Sequence, residues 1–263
     1  MGALVAKHVR AQRINPPALL ENREGGYQIL PAGGVFSGGV TPLPGHEVVH
    51  VLLHPWTPLK EAWGFIEAYL KGLGRPVQAL CGMELRIPEQ LTFDDFRAFN
   101  RPYVEQLTKW SLVLGPYSAV CRTNVVPAAD APTQAVVHAF SYCVPSEYTG
   151  TTFCISGTAD IDARGQIVAA GDVSPAGMKL RLQHCVDVLT ERLAMLELAW
   201  SQATHIDLCV VQDTPGLMAA VVIPGLQGAA SRGIRVHFAR PPIIGSEVEL
   251  ECRSCRRELT LSA

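Results

Sequence analysis

The sequence predicts an α+β fold of two consecutive units, residues 1–145 and 146–263, each a mixed sheet with two helices on one face. Three observations carry that expectation. Read for hydrophobic periodicity, the chain gives the order strand, strand, helix, strand, helix, strand, strand, and then gives it a second time. Ser-Gly pairs at 37–38 and 156–157, 119 residues apart, each sit at the end of a strand that precedes a long helix. Each half also closes on two strands joined by a Pro-containing loop. A period of about 120 residues is that of a duplicated domain and far too long for a solenoid repeat.

The elements follow in order. Residues 15–34 carry Pro16, Pro17, Gly25, Gly26, Pro31, Gly33 and Gly34 and are expected to be loop. GVFSGGV gives a short strand, and the β-branched run EVVHVLLH (47–54) a second that Pro55 ends. The first helix is expected over 58–74, where Pro58 suits the first turn, Trp63, Ile66, Tyr69 and Leu70 recur at helical spacing, and Gly72 and Gly74 stop it. A strand over 77–87 leads to a helix over 92–110, with Thr92 as N-cap, two Asp in its first turn, and Pro102 bending or splitting it. Strands at 119–126 and 134–143 close the first half.

After the turn-rich stretch 144–151, TTFCISGTADI reads as a strand and DARGQIV as a turn and its return. The longest helix spans 174–200, with Leu182, Cys185, Val186, Leu189, Leu193 and Leu196 on one face. A strand at 205–211, a Gly-broken helix at 215–230, and strands at 234–239 and 247–252 complete the chain. Helices cover only one face of each sheet, so the other face must find a partner sheet within the chain, between chains, or both.

Composition excludes several classes. Apolar residues make up 48% and charged residues 17% of 263, enough to build a core and too little charge for disorder. The formal net charge is −2 and there is no run of Lys or Arg, so neither nucleic acid nor an anionic membrane is expected as a partner. No apolar stretch is long enough for a membrane span, and MGALVAKHVRAQR is too short and wrongly charged for a secretory signal. Ala6 stands where a myristoylation pattern needs Ser or Thr. A cytoplasmic protein is the expectation. The eight Cys are scattered, and only Cys252 and Cys255 form a CxxC, with no second ligand pair for zinc. Reduced, inert thiols and no metal are expected. There is no GxSxG elbow, P-loop, HExxH or dinucleotide fingerprint.

FDDFRAFNRPYVEQL followed by CRTNVVP resembles the helix F-x-x-F/V-N-x-x-Y-x-x-F and strand A-R-x-x-V of the reactive-intermediate deaminase family, also called YjgF-like or Rid proteins. FCISGTADIDARGQIVAAGDV resembles that family's strand ending S-G-Q, its D-x-x-G turn and its G-D-V/I helix lead-in; EVELE resembles its last strand, and NPPALLENREGGY its N-A-P-x-x-x-G-P-Y opening. The likeness covers about residues 15–258. It implies two YjgF-like (chorismate-mutase-like) domains, a homotrimer, ligand sites in clefts between domains, and hydrolysis of enamine or imine acids to keto acids and ammonia, with no cofactor. Residue by residue, it implies a carboxylate-binding Arg122, with Asn100, Ser37, Ser156 and Tyr27 around the substrate. The acidic residue of the last strand matches Glu249, with Glu247 two residues away on the same face, and Val137-His138 stands where the first half would carry that Glu. Arg232 lies near the second half's Arg position, with Arg235 and Arg240 as rivals.

The chemistry suits those residue types. A planar guanidinium binds a carboxylate bidentately and fixes its plane. A carboxyl in reach of one water can manage that water's proton, which is the role open to Glu249, while the Ser156 hydroxyl can hold the amine. Arg122 and Asn100 come from the first half, Glu249 and Ser156 from the second, so a composite site between the halves is expected. Plainer readings stand beside these. Arg122 can be a salt-bridged surface residue, Asn100 a helix cap, Ser37 and Ser156 turn residues, and Tyr27 a loop anchor. Glu247, Glu249 and Glu251 can form a solvated strand face, and His138, His184 and His237 can be structural. Two other functions remain open. One is a chorismatase-like lyase or hydrolase on a cyclic carboxylic acid, since SGTADI at 156–161 resembles the strand motif of chorismate-cleaving hydroxybenzoate synthases. The other is a non-catalytic ligand-binding protein.

Overall fold

A computed structural model describes residues 18–32, 36–212 and 215–263, so the readings of the extreme N-terminus and of Gly33 and Gly34 lie outside the described residues. The fold is α+β. Its strands are β1 (Leu20–Asn22), β2 (Tyr27–Pro31), β3 (Ser37–Pro42), β4 (His46–Pro58), β5 (Leu80–Arg86), β6 (Val113–Leu114), β7 (Tyr117–Ser118), β8 (Cys121–Pro127), β9 (Val136–Pro145), β10 (Phe153–Ala159), β11 (His205–Val210), β12 (Arg235–His237), β13 (Ala239–Arg240), β14 (Val248–Ser254) and β15 (Arg257–Leu261). The long helices are α1 (Leu59–Gly72), α2 (Phe93–Lys109) and α3 (Pro175–Met195). Residues 215–232 make short helical turns of α, π and 3-10 type.

Two sheets hold most of the strands. One has six strands in the order β13-β8-β5-β9-β4-β15, the other seven in the order β1-β2-β3-β10-β14-β11-β12. Each contains the same four-strand array. In the first, β4 runs antiparallel to β9, β9 antiparallel to β5, and β5 parallel to β8. In the second, β10, β14, β11 and β12 repeat that order and those directions. The sheets also exchange strands across residue 145. β3 of the first half pairs with β10, while β13 and β15 of the second half pair with β8 and β4.

The helices cover the outer faces. Ala62, Ile66 and Leu70 of α1, with Tyr103 and Leu107 of α2, pack on Val49, Val51, Met83 and Phe140 of the six-stranded sheet. Leu182, Cys185, Val186 and Leu189 of α3 pack on Phe153, Ile155, Leu250 and Cys252 of the other. Thr92 Oγ1 caps α2 by accepting the Asp95 N–H, and Ser174 Oγ caps α3 by accepting that of Gly177. Contrary to the expected bend or break, α2 runs unbroken through Pro102, which is exposed; Ala98, whose carbonyl loses its donor, is exposed too, so water can replace the bond. Other departures concern strands. Residues 20–22 and 27–31, expected as loop, pair into a short hairpin. β4 continues past Pro55 to Pro58 through a register shift between Leu52 and Thr57, and β15, unforeseen, adds a parallel edge to β4.

The inner faces of the two sheets meet within the chain, and the layer between them is polar. Arg253 Nη1 donates to Asp207 Oδ2 (2.7 Å), Glu251 Oε1 (3.0 Å) and Glu84 Oε1 (3.4 Å), joining β14 and β11 to β5 of the opposite sheet. Burial pushes the Glu84 carboxyl up, but the neighbouring basic groups, Arg253 foremost with Arg86 and the two histidines His50 and His138, together outweigh it and hold Glu84 well below its ordinary range. Burial likewise pushes Asp207 up, and its hydrogen bond from His237 with the Arg253 charge brings it down. Glu251 is raised by burial and then by its two carboxylate neighbours. Burial takes His50 to about 3, so it is neutral in this layer.

Candidate active site

A cavity of about 820 Å³ opens where β3, β8, β10 and β14 converge under α3, with Phe96 of α2 on its rim. The layer of buried charge fixes β8 against β14, and these strands bring Arg122 and Glu249 to that cavity. Arg122 points away from the inner layer, toward α2. Its Nη1 donates to Asn100 Oδ1 at 2.7 Å, and its guanidinium carbon lies 4.9, 5.1 and 5.4 Å from the ring centres of Tyr103, Phe36 and Phe96. The rings hold the cation by its π-face and leave its edge for a ligand. No carboxylate of the described residues pairs with it.

Glu249 is 5% exposed. Burial pushes its carboxyl up to about 8, against the weaker opposing pull of the Asn124 N–H at 3.4 Å and of Arg86 and Arg122. It is therefore an un-ionised acid near neutral pH. Ser156 ties three strands together. Its hydroxyl accepts the Arg122 N–H (3.2 Å) and donates to the Ser37 carbonyl (2.8 Å). On α3, Arg192 Nη1 donates to the Ser156 carbonyl at 2.8 Å. Burial lowers the pKa of both cavity guanidiniums from its ordinary value. Asp187, Glu191 and His184 of α3 complete that wall with Asp162, whose carboxylate accepts the N–H groups of Arg164 and Gln166.

Of the residues singled out in the sequence, Arg122, Ser37, Ser156 and Glu249 line this cavity and Asn100 stands directly behind Arg122. Two others lie elsewhere. Tyr27 is fully buried in the core, its hydroxyl donating to the Leu80 carbonyl, because β2 is a strand and not a loop. Arg232 caps the carbonyls of Ser201 and Ala203 from the last helical turn. Its rivals are also committed, Arg235 to Glu258 and Arg240 to Glu247. Ser37 and Ser156 are neighbours across the β3–β10 ladder, where Gly39 faces Ile155, and so do not occupy matching places in the two arrays. The Ser156 hydroxyl proton, bound to Ser37, is not free to hold an amine. Glu249 and Glu251 face the inner layer and not solvent.

Arg192, Gly157 and the ring cage of Phe36, Phe96 and Tyr103 escaped the sequence reading. The signal for Arg192 was a second stripe on α3, with His184, Val188, Arg192 and Met195 at helical spacing beside the core stripe. Among the described residues, no group of three or more His, Cys, Asp or Glu is arranged to hold a metal.

An apolar-caged arginine and an un-ionised carboxyl in one cavity make a site chemically suited to a small organic anion. Comparison with known proteins narrows the class. Residues 19–259 match the family described as 2-aminomuconate deaminase CnbZ, and the chain belongs to that deaminase family. A 2-amino-5-chloromuconate deaminase of Comamonas testosteroni is 34% identical over 246 residues, covering 90% of this chain and 96% of that one. Among solved structures, a chorismatase aligns over 91% of this chain and 80% of its own at 13% identity and a TM-score of 0.46. The Rid-family protein YyfB of Yersinia pestis aligns over 40% of this chain and 77% of its own, at 19% identity and a TM-score of 0.31.

Proposed function

We propose that the protein hydrolyses an enamine carboxylic acid of the 2-aminomuconate type to the corresponding keto acid and ammonia. The observation that carries this reading is one cavity holding a guanidinium without a carboxylate partner, Arg122, and a carboxyl that is still protonated near neutral pH, Glu249. Arg122 takes the carboxylate beside the C–N bond, and Asn100 and the ring cage fix the plane of that pair.

Glu249 first gives its proton to a diene carbon, which turns the enamine into an iminium. Its carboxylate then takes a proton from water as the water oxygen bonds to the iminium carbon. The same carboxyl returns that proton to nitrogen, the C–N bond breaks, and ammonia leaves as the carbinol proton passes back to Glu249. The sum is enamine acid plus water giving keto acid plus ammonia, with Glu249 restored. A carboxyl with a pKa near the working pH serves both as acid and as base. Ser156 is a positioning residue, tying Arg122 to Ser37.

The test is ammonia release from 2-aminomuconate generated in situ. Glu249→Gln is expected to lower kcat by about 10²–10⁴-fold, and Arg122→Ala to raise KM. Full activity of Glu249→Gln overturns the reading. The matching four-strand arrays also support a tandem duplication of a YjgF-like domain. The homotrimer implied by the same resemblance is open to sedimentation velocity.

A further inference from the structure

We infer that Arg192 is the binding residue for a second carboxylate, so that the cavity selects dicarboxylates over monocarboxylates. The inference rests on the deaminase reading for the place of the first carboxylate and on the cavity wall itself for the second.

Arg192 is half-buried on α3 and faces the same cavity as Arg122. One of its nitrogens, Nη1, is used by the Ser156 carbonyl; among the described residues Nε and Nη2 have no protein acceptor, and no carboxylate pairs with the group. A partly desolvated cation without a counter-charge is costly, and two of them in one cavity repel each other as well. Nearby groups do not relieve this. Asp187 and Glu191 are exposed on the same helix and form no ion pair with Arg192. The Asp162 carboxylate is held by two backbone N–H groups, and His184 Nε2 is engaged by the Ile161 carbonyl. A wall with two such cations is neutralised by a dianion, whereas a monoanion leaves one of them unpaired.

The arrangement also sets the order of groups. Arg122 reaches Ser156 through its backbone N–H to Oγ, and Arg192 reaches the carbonyl of the same residue through its guanidinium. The next residue, Gly157, is packed against the Glu249 carboxyl. Glu249 lines the same cavity as two anion-binding groups, Arg122 from β8 and Arg192 from α3. A conjugated diacid laid across them has its reacting carbon near Glu249, one carboxylate on Arg122 and the far carboxylate on Arg192.

The experiment uses two stable dienes that lack the amine, muconate (a dianion) and sorbate (a monoanion), titrated calorimetrically into the protein. A charge-assisted pair predicts that the wild type prefers muconate by about 10- to 100-fold. Arg192→Gln keeps a donor for the Ser156 carbonyl and removes the charge. It is expected to bind muconate as weakly as sorbate, with sorbate affinity unchanged within about twofold, whereas Arg122→Ala weakens both. Arg192→Met, which fills the same space, carries the same expectation should the glutamine variant fail to fold. A muconate preference that survives these substitutions, or no preference in the wild type, overturns the inference. Failure of the deaminase reading shows separately, as a wild type that prefers muconate yet releases no ammonia from 2-aminomuconate.

Discussion

Gly157 leaves the space that the Glu249 carboxyl fills. A Cβ on residue 157 would lie 2.5 Å from Glu249 Oε1 and 2.8 Å from Thr123 Oγ1. The Gly157 N–H donates to that same Thr123 hydroxyl at 3.2 Å, so the β10 backbone is pinned against β8 and cannot easily back away. Gly157→Ala is therefore expected to push the carboxyl out of line with the substrate while the strands stay paired. A misplacement of about 1 Å costs roughly 10²-fold in rate. Steady-state kinetics with unchanged far-UV circular dichroism is the expected result, and wild-type kcat in the alanine variant would show that the carboxyl does not need this position.

The raised pKa of Glu249 links stability to pH with a definite sign. In the folded protein the carboxyl titrates at about 8, from an ordinary value of 4.5. The folded state holds the proton more tightly, so the stability this supplies is complete below pH 4.5 and is lost as pH rises through 8. Glu249→Gln removes the titration. Its stability relative to wild type is expected to increase between pH 5 and pH 8.5, by an amount on the order of 4 kcal/mol. Urea unfolding at those two pH values measures the gap. A gap that does not change with pH means that Glu249 is not a buried acid. The activity of the wild type is expected to fall above pH 8 for the same reason, since the proton donor is gone.

How far the sequence disclosed these features depended on whether a signal was local. The stripes of α1 and α3 stand out because apolar side chains repeat at the period of a helix, and Thr92 and Ser174 mark where two helices begin. β1 and β2 were hidden because strands of three and five residues sit among glycines and prolines that also spell turns. β15 was hidden because RELTL is a polar edge strand held by its neighbour β4 and not by its own pattern. Arg122 and Asn100 could be named from the resemblance of one helix and strand. Arg192 could not, because an arginine after a glutamate on a helix looks like a solvated face until β10 is seen to pass beneath it. Tyr27 was misplaced for the reason β2 was missed.

The ion cluster between the sheets yields the last expectation. Arg253 is 3% exposed and donates to carboxylates from both sheets: Glu84 on one side, Asp207 and Glu251 on the other. Its charge is the largest of those that keep Glu84 ionised against burial, and it helps His237 to do the same for Asp207. Replacing it leaves those carboxylates buried without their shared partner. Arg253→Met is expected to destabilise the protein by about 3–5 kcal/mol at pH 7. The sign of the pH dependence follows from the wild type. Stability supplied by carboxylates with lowered pKa is present above the ordinary carboxylate range and fades as pH falls through it. In the variant the same carboxylates prefer to be protonated, so acid relieves them. The difference between wild type and variant is therefore expected to narrow from pH 7 toward pH 4, which urea unfolding across that range measures. A difference that widens on acidification would mean that Arg253 does not hold the two sheets together by pairing with these carboxylates.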